Sequence, residues 1–235
     1  MSSPAKTILI TGANKGIGLE AGRQLARLGH RVILSARSAQ RGEQAVKDLA
    51  AEGIKTEFLL LDTADEQSIL RAVRELKQRI TALHVLINNA AILDTWQGSI
   101  LDAKSADIRD TFATNVMGPI LLTQALVPLL EAGKPARVIN VSSQLGSIQS
   151  MTDGFPGYGI SKAALNAATR KLAGALGSRG ITVLAASPGW VKTDMGGKDA
   201  TLSLEQGGKN IVQVVTDIPT SVTNEFLQGT EEIAW

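Results

Sequence analysis

The chain has no cysteine and only two histidines, His30 and His84, set far apart. A disulfide framework and a thiolate metal site are therefore ruled out, and a zinc-dependent dehydrogenase chemistry has no ligand set to build on. An excess of one charge is missing too. The 24 basic and 22 acidic residues are interspersed and leave a formal +2, which points neither to nucleic acid nor to a membrane surface. Long apolar runs are scarce. Thr7–Ile10 is too short for the apolar region of a signal peptide. Pro119–Leu130 is broken by Thr123, Gln124 and Pro128, which reads against a membrane span. A cytoplasmic location is the expectation. No repeat, low-complexity tract or shift in composition divides the chain. Its 235 residues, 44% apolar and 20% charged, suit a single globular domain over 1–235.

What is present is an alternation. Short apolar runs at Thr7–Ile10, Val32–Leu34, Phe58–Leu61, Val85–Ile87, Val138–Val141 and Thr182–Ala185 read as strands buried on both faces. Between them lie helix-periodic stretches at Gly16–Leu28, Gln40–Ala51, Glu66–Ile80, Ser105–Leu130 (two helices) and Tyr158–Leu176. Gly29 and Gly53 stand as C-terminal stops. Beyond Ser187 the pattern loosens into a mobile substrate loop over about 189–225 with a short helix, then a last strand near Phe226–Leu227. The expectation is an α/β fold: a doubly wound parallel sheet of about seven strands with helices on both faces, of Rossmann type. Ligands of such sheets sit at the carboxyl ends of the strands.

At the first such end stands Thr11-Gly12-Ala13-Asn14-Lys15-Gly16-Ile17-Gly18, between strand and helix. Glycines there allow a tight turn and a close approach to pyrophosphate, which lies on the positive end of the helix. An NAD-selective site adds an acid about 20 residues on. Between Glu20 and Glu43 this sequence has none; the second strand ends in Arg37, and Lys15 precedes the second glycine. Both cations can neutralise a 2′-phosphate, so NADP(H) is favoured.

Tyr158, the only tyrosine, opens the helix after the fifth strand, and Lys162 follows one turn later on the same face. A neighbouring ammonium lowers a phenol's pKa and makes it an acid–base group. The fifth strand ends in Ser142-Ser143, and one of these hydroxyls can bond a substrate carbonyl.

Taken together these residues resemble the short-chain dehydrogenase/reductase family. The likeness rests on Thr11–Gly18, Asn88-Asn89-Ala90-Ala91, Asn115, Ser143, Tyr158 with Lys162, and Pro188-Gly189-Trp190-Val191-Lys192-Thr193. Within it, the run from Pro188 to Gly197 is similar to NADP(H)-dependent carbonyl reductases and their C-factor-like relatives. The resemblance implies that Tyr158 exchanges the proton and that Lys162 lowers its pKa and holds the nicotinamide ribose. By the same likeness Ser143 polarises the carbonyl, and Asn115 holds a water leading to Lys162. It places Asp62 and Thr63 beside the adenine and Asn89 near its ribose. Pro188, Gly189, Val191 and Thr193 fall along the nicotinamide run, with Thr193 at the carboxamide. Ala91 stands where the family usually has glycine, and His84 where it often has aspartate. The Ser143–Tyr158 gap is slightly long.

The expected reaction interconverts a small carbonyl compound and an alcohol. Trp96, Leu145 and Trp190, with Met151, Phe155 and Met195, suggest an apolar aldehyde or ketone. The alternative is a dinucleotide-binding sensor or signalling protein on the same fold. A sugar-nucleotide epimerase would need a larger substrate domain than the stretch after Pro188 provides. A homodimer or homotetramer is expected through the two long helices, the second carrying Ala163, Ala164, Ala167, Ala168 and Ala173.

Overall fold

A computed structural model describes residues 4–94 and 98–235. Its strands are β1 (Thr7–Ile10), β2 (Arg31–Ala36), β3 (Glu57–Leu60), β4 (Val85–Asn88), β5 (Ala136–Val141), β6 (Ile181–Ser187), β7 (Phe226–Gln228) and β8 (Glu231–Glu232). They form one sheet in the order β3-β2-β1-β4-β5-β6-β7-β8. Every pairing is parallel except β7 with β8. The described sheet thus has one strand more than the seven expected. Two consecutive glutamates, Glu231 and Glu232, carry no apolar signal, so β8 was invisible to periodicity.

The helices are α1 (Gly16–Arg27), α2 (Ala39–Ala51), α3 (Glu66–Arg79), α4 (Ser105–Phe112), α5 (Gly118–Ala132), α6 (Pro156–Leu176) and α7 (Leu204–Thr216). Alternate strand residues feed opposite layers, which explains why the strands are apolar throughout. Leu9, Ile33, Leu86, Val138 and Val183 pack with α3, α5 and α6 on one face. Ile8, Ile10, Val32, Leu34, Val85, Ile87 and Leu184 pack with α1, α2 and α7 on the other. Ser38, Asp65 and Ser203 cap α2, α3 and α7 through their side chains.

Two expectations change. The stretch expected as two helices is one continuous run, Ser105–Ala132, in which a π turn at Ala113–Met117 joins α4 to α5. By length and composition this run could cross a membrane, yet more than half of its apolar window is buried within the chain. The helix in the expected 189–225 loop is α7, thirteen residues long, with Ile211, Val212, Val214 and Val215 buried. Arg137 on β5 anchors it: the guanidinium donates to the carbonyls of Val214, Ile218 and Pro219 at 2.6, 2.9 and 2.5 Å. The irregular parts of the stretch expected as a substrate loop are therefore two, 188–203 before α7 and 217–225 after it.

The strand order reverses between β2 and β5: β1 is flanked by β2 and β4, with Ile10 level with both Leu34 and Ile87. The crevice outside the carboxyl ends of β1 and β4 is the switch point where this architecture binds ligands.

Candidate active site

A cleft of about 740 Å³ opens there, of a size suited to a cofactor. Gly12 and Gly16 have φ of +61° and +60°, a region costly for residues with a Cβ. A Cβ on Gly12 would lie 2.7 Å from the Cα of Ala90, whereas one on Gly16 would meet nothing nearer than Thr193 Cγ2 at 4.0 Å. One glycine thus closes β1 onto the loop after β4, and the other leaves room in the cleft. Lys15 is the N-cap of α1 but makes no side-chain cap bond, so first-turn N–H groups remain available to an anion. Asn14, Lys15 and Ile17 line the cleft beside them. Gly18 does not; a Cβ there would fall 2.4 Å from Asn89 Nδ2.

Asn89 is chiefly a tie. Its amide donates to the carbonyls of Thr11 and Gly12 at 2.8 and 3.2 Å, and Thr11 Oγ1 accepts from the N–H groups of Asn89 and Ala90, each at 2.9 Å. These bonds fasten β1 to β4 at the mouth, where Asn89, Ala90 and Ala91 line the cleft. His84, at the other end of β4, accepts from the Thr7 N–H at 3.0 Å through Nδ1. An acceptor is what that position needs, and histidine supplies one.

At one end of the cleft stand Arg37, Ser38 and Arg41, with Asp62 and Thr63 opposite. Arg41 carries no marker in the sequence; it lies in the first turn of α2, and only the fold brings it to the same cleft as Arg37. Asp62 already accepts from the Ala64 N–H at 3.0 Å. Lys15 Nζ sits 2.6 Å from Asp194 Oδ2. It spans the cleft to the loop after β6 rather than standing alone beside Arg37, and the carboxylate lies below its ordinary pKa because of that bond.

At the other end, α6 presents Tyr158 and Lys162, both buried. Lys162 Nζ lies 5.4 Å from the centre of the tyrosine ring and donates to the Val141 carbonyl at 2.7 Å. Burial pushes the Tyr158 phenol up to about 12, against a hydrogen bond from Ser143 that lowers it. Burial also brings Lys162 down to about 7. The lysine was expected to lower the phenol's pKa. Within the protein alone the desolvation of both groups outweighs that, since an ammonium stripped of water is itself scarcely held.

Of the two serines, Ser143 reaches the phenol, while Ser142 Oγ donates to the Lys162 carbonyl at 3.4 Å. Asn115 is fully buried in the π turn, a distortion frequent at functional sites. Its Oδ1 accepts from the Ile92 N–H at 2.9 Å, and its Nδ2 donates to the Ile92 carbonyl and to Ser161 Oγ at 2.9 and 3.0 Å. Both amide hydrogens are committed to bracing the site, so the side chain itself does not reach Lys162.

Asp94 is a second residue that the sequence did not mark. Buried in the cleft wall, it accepts from the N–H groups of Gly157 and Tyr158. In the loop after β6, Pro188 and Thr193 line the cleft. Gly189 and Val191 shape the loop instead: Gly189 has φ +83°, and buried Val191 pairs with Leu202. Trp190 is 53% exposed, and its indole N–H donates to the Gly196 carbonyl at 2.8 Å. Neither Trp190 nor Leu145 lines the cleft, although Met195 does. Trp96 lies outside the described residues.

A parallel sheet with a glycine-lined cleft at its switch point, a helix N-terminus open to anions and a buried Tyr–Lys pair defines an α/β oxidoreductase class. The chain belongs to the short-chain dehydrogenase family, whose model matches residues 6–202. It is 34% identical to carbonyl reductase (NADPH) 1 of Oryctolagus cuniculus, over 90% of this chain and 91% of that one. It is 39% identical to the C-signal protein of Myxococcus xanthus, over 64% of this chain and 92% of that one. Among solved structures, the NADPH-bound carbonyl reductase from chicken fatty liver superposes with a TM-score of 0.90 at 30% identity, covering 99% of this chain and 100% of that one.

Proposed function

We propose that this protein reduces an apolar ketone or aldehyde to the alcohol with NADPH. One observation carries the reading. A single cleft holds Arg37 and Arg41 at one end and Tyr158 with Lys162 at the other, while Ser143, two residues past the end of β5, bonds the phenol. The residues fit the dinucleotide. The α1 N-terminus and the space beside Gly16 suit a pyrophosphate, and two guanidiniums suit a 2′-phosphate. When bound, NADPH supplies the hydride.

The chain's own residues do the rest. Ser143 orients the carbonyl and donates to its oxygen as negative charge develops. Tyr158, held neutral by burial, gives its proton to that oxygen. The phenolate left behind is a far stronger base than the Lys162 amine, so return of a proton from the ammonium is downhill. A neutral phenol is the form that donates a proton in reduction, and burial favours that form. Met195 in the cleft, with half-exposed Met151 and Trp190 nearby in the loops, favours an uncharged substrate.

NADPH oxidation measured against a panel of aliphatic and aromatic aldehydes and ketones tests this. Turnover of none of them would defeat it. The likeness to the C-signal protein favours a second reading, a dinucleotide-binding signalling protein, in which NADPH binds without turnover in that same assay. We further propose a cytoplasmic homodimer or homotetramer built through α4–α5 and α6. Ala163, Ala164, Ala167 and Ala168 are open to solvent in part, whereas Ala173 is buried within the chain and cannot serve such an interface. Light scattering at micromolar concentration would return a monomer mass if this were wrong.

A further inference from the structure

Helix α6 carries the proton donor in its first turn, where backbone N–H groups have no partner within the helix. Its own N-cap cannot supply one. Phe155 has no acceptor in its side chain and sits in the left-handed region at φ 53°, ψ 55°, which is unfavourable for a residue with a Cβ. The acceptor comes from far away in sequence. Asp94, in the loop after β4, receives the Gly157 N–H on Oδ2 at 3.0 Å and the Tyr158 N–H on Oδ1 at 3.1 Å. The residue is 5% exposed, and both oxygens are engaged, so these are charge-assisted bonds in a dry setting. Glycine at 157 gives the approach room, since a Cβ there would stand 3.2 Å from Asp94 Oδ2 and 3.3 Å from Thr111 Oγ1 and press the carboxylate back by a few tenths of an ångström. Two residues upstream, Ile92 is gripped at both its N–H and its carbonyl by Asn115. The strip Ile92–Asp94 is thus pinned at one end to the π turn and at the other to the helix bearing Tyr158.

We propose that Asp94 is a positioning residue for proton transfer, a remote cap that fixes the first turn of α6 and thereby the place of the Tyr158 hydroxyl against Ser143. This rests on the reading of Tyr158 as the proton donor. The carboxylate also offsets the positive end of α6. The groups set against Tyr158 are Lys162 on its own helix, Ser143 from the end of β5 and Asp94 from the loop after β4. Among these Asp94 bonds the backbone N–H of Tyr158 and not its hydroxyl, so its hold on the phenol is positional.

The test compares the 235-residue protein with its Asp94→Asn and Tyr158→Phe variants, using NADPH and 4-nitrobenzaldehyde. Asp94→Asn preserves shape and removes the charge and one acceptor. We expect kcat to fall about 10- to 100-fold, the scale of a misplacement of about 1 Å, with NADPH affinity unchanged. We also expect the loss to fall on kcat while KM for the aldehyde stays level, the mark of an interaction made only in the transition state. A purely structural defect would instead raise KM and weaken NADPH binding along with the rate. Wild-type kcat in Asp94→Asn, alongside an inactive Tyr158→Phe, would overturn the inference and leave the proposed function standing. If the wild type reduces nothing, or Asp94→Asn does not fold, amide hydrogen exchange on the wild type decides. Protection at Gly157 and Tyr158 supports the cap, and exchange at the rate of a fraying helix end overturns it.

Discussion

The two ends of the cleft are built on opposite principles. At the arginine end Arg37, Arg41 and Lys15 are exposed, and the Lys15–Asp194 pair has side chains 65% and 83% accessible. At the tyrosine end Tyr158, Lys162, Asn115, Ser161 and Asp94 are all buried and bonded to one another's segments. Exposed charges are screened and contribute little to folding, so the first end can be rewritten for another cofactor without endangering the fold. Buried polar groups cost stability unless every bond is satisfied. At the second end, chemistry and stability are therefore coupled.

The sharpest probe of the buried end is Tyr158→Phe, which retains the ring and removes the hydroxyl. Turnover is expected to fall about 10²- to 10⁴-fold, the usual contribution of a positioned proton donor, with NADPH affinity retained in a fluorescence titration. Carbonyl reduction at the wild-type rate would remove the difference between the two ends as drawn here.

Lys162→Met should show the coupling directly. Burial brings Lys162 from 10.5 down to about 7, so between those values the unfolded chain binds a proton that the folded protein does not. Stability of the wild type should accordingly rise as pH goes from 7 toward 10. Tyr158 works the other way: its folded value is raised from 10.0 to about 12, and the stability this supplies is lost as pH passes from 10 to 12. Lys162→Met should flatten the first rise in denaturant melts taken across pH while abolishing most turnover. An unchanged slope would show that the lysine is solvated.

The difference between the ends also governs what could be read in the sequence. The strands, α1, α6 and the positions of Gly12, Tyr158 and Lys162 were legible because local spacing specifies them: apolar runs, a glycine turn, one helical repeat. Asp94 and Arg41 were not. Asp94 acts on backbone N–H groups 63 and 64 residues away, and nothing in a loop aspartate announces a distant helix end. The direction of the Tyr158 shift was missed for a related reason. Spacing places an ammonium near a phenol but says nothing of how dry the pair is. Trp190 was overread, since an aromatic in a loop signals contact, not which contact; here the indole braces its own loop.

At the exposed end the larger effect is expected from Arg37→Asp. Exchanging a charge-assisted partner of the 2′-phosphate for a repelling carboxylate should weaken NADPH binding by at least about tenfold and leave NADH binding similar or better. The melting temperature should barely change. Equal loss of both cofactors would mean that Arg37 supports the fold, contrary to its exposure.

The smallest effect separates two roles for Lys15. Its Nζ is 2.6 Å from Asp194 in the loop that also carries Thr193, so the lysine can either hold that loop or serve the 2′-phosphate. An ion pair this exposed is worth roughly 0–1 kcal/mol and weakens with salt. Asp194→Asn removes the carboxylate and leaves Lys15 free to turn toward the anion. If the carboxylate and the 2′-phosphate compete for the lysine, NADPH affinity in this variant should rise by up to about fivefold at low ionic strength, within the energy of such a pair. The gain should shrink in high salt, and NADH affinity should stay level because it lacks the phosphate. Should NADPH and NADH both bind more weakly, the pair's work is to hold the loop over the cofactor. Lys15 would then belong with the residues that shape the cleft, leaving Arg37 and Arg41 to select the phosphate.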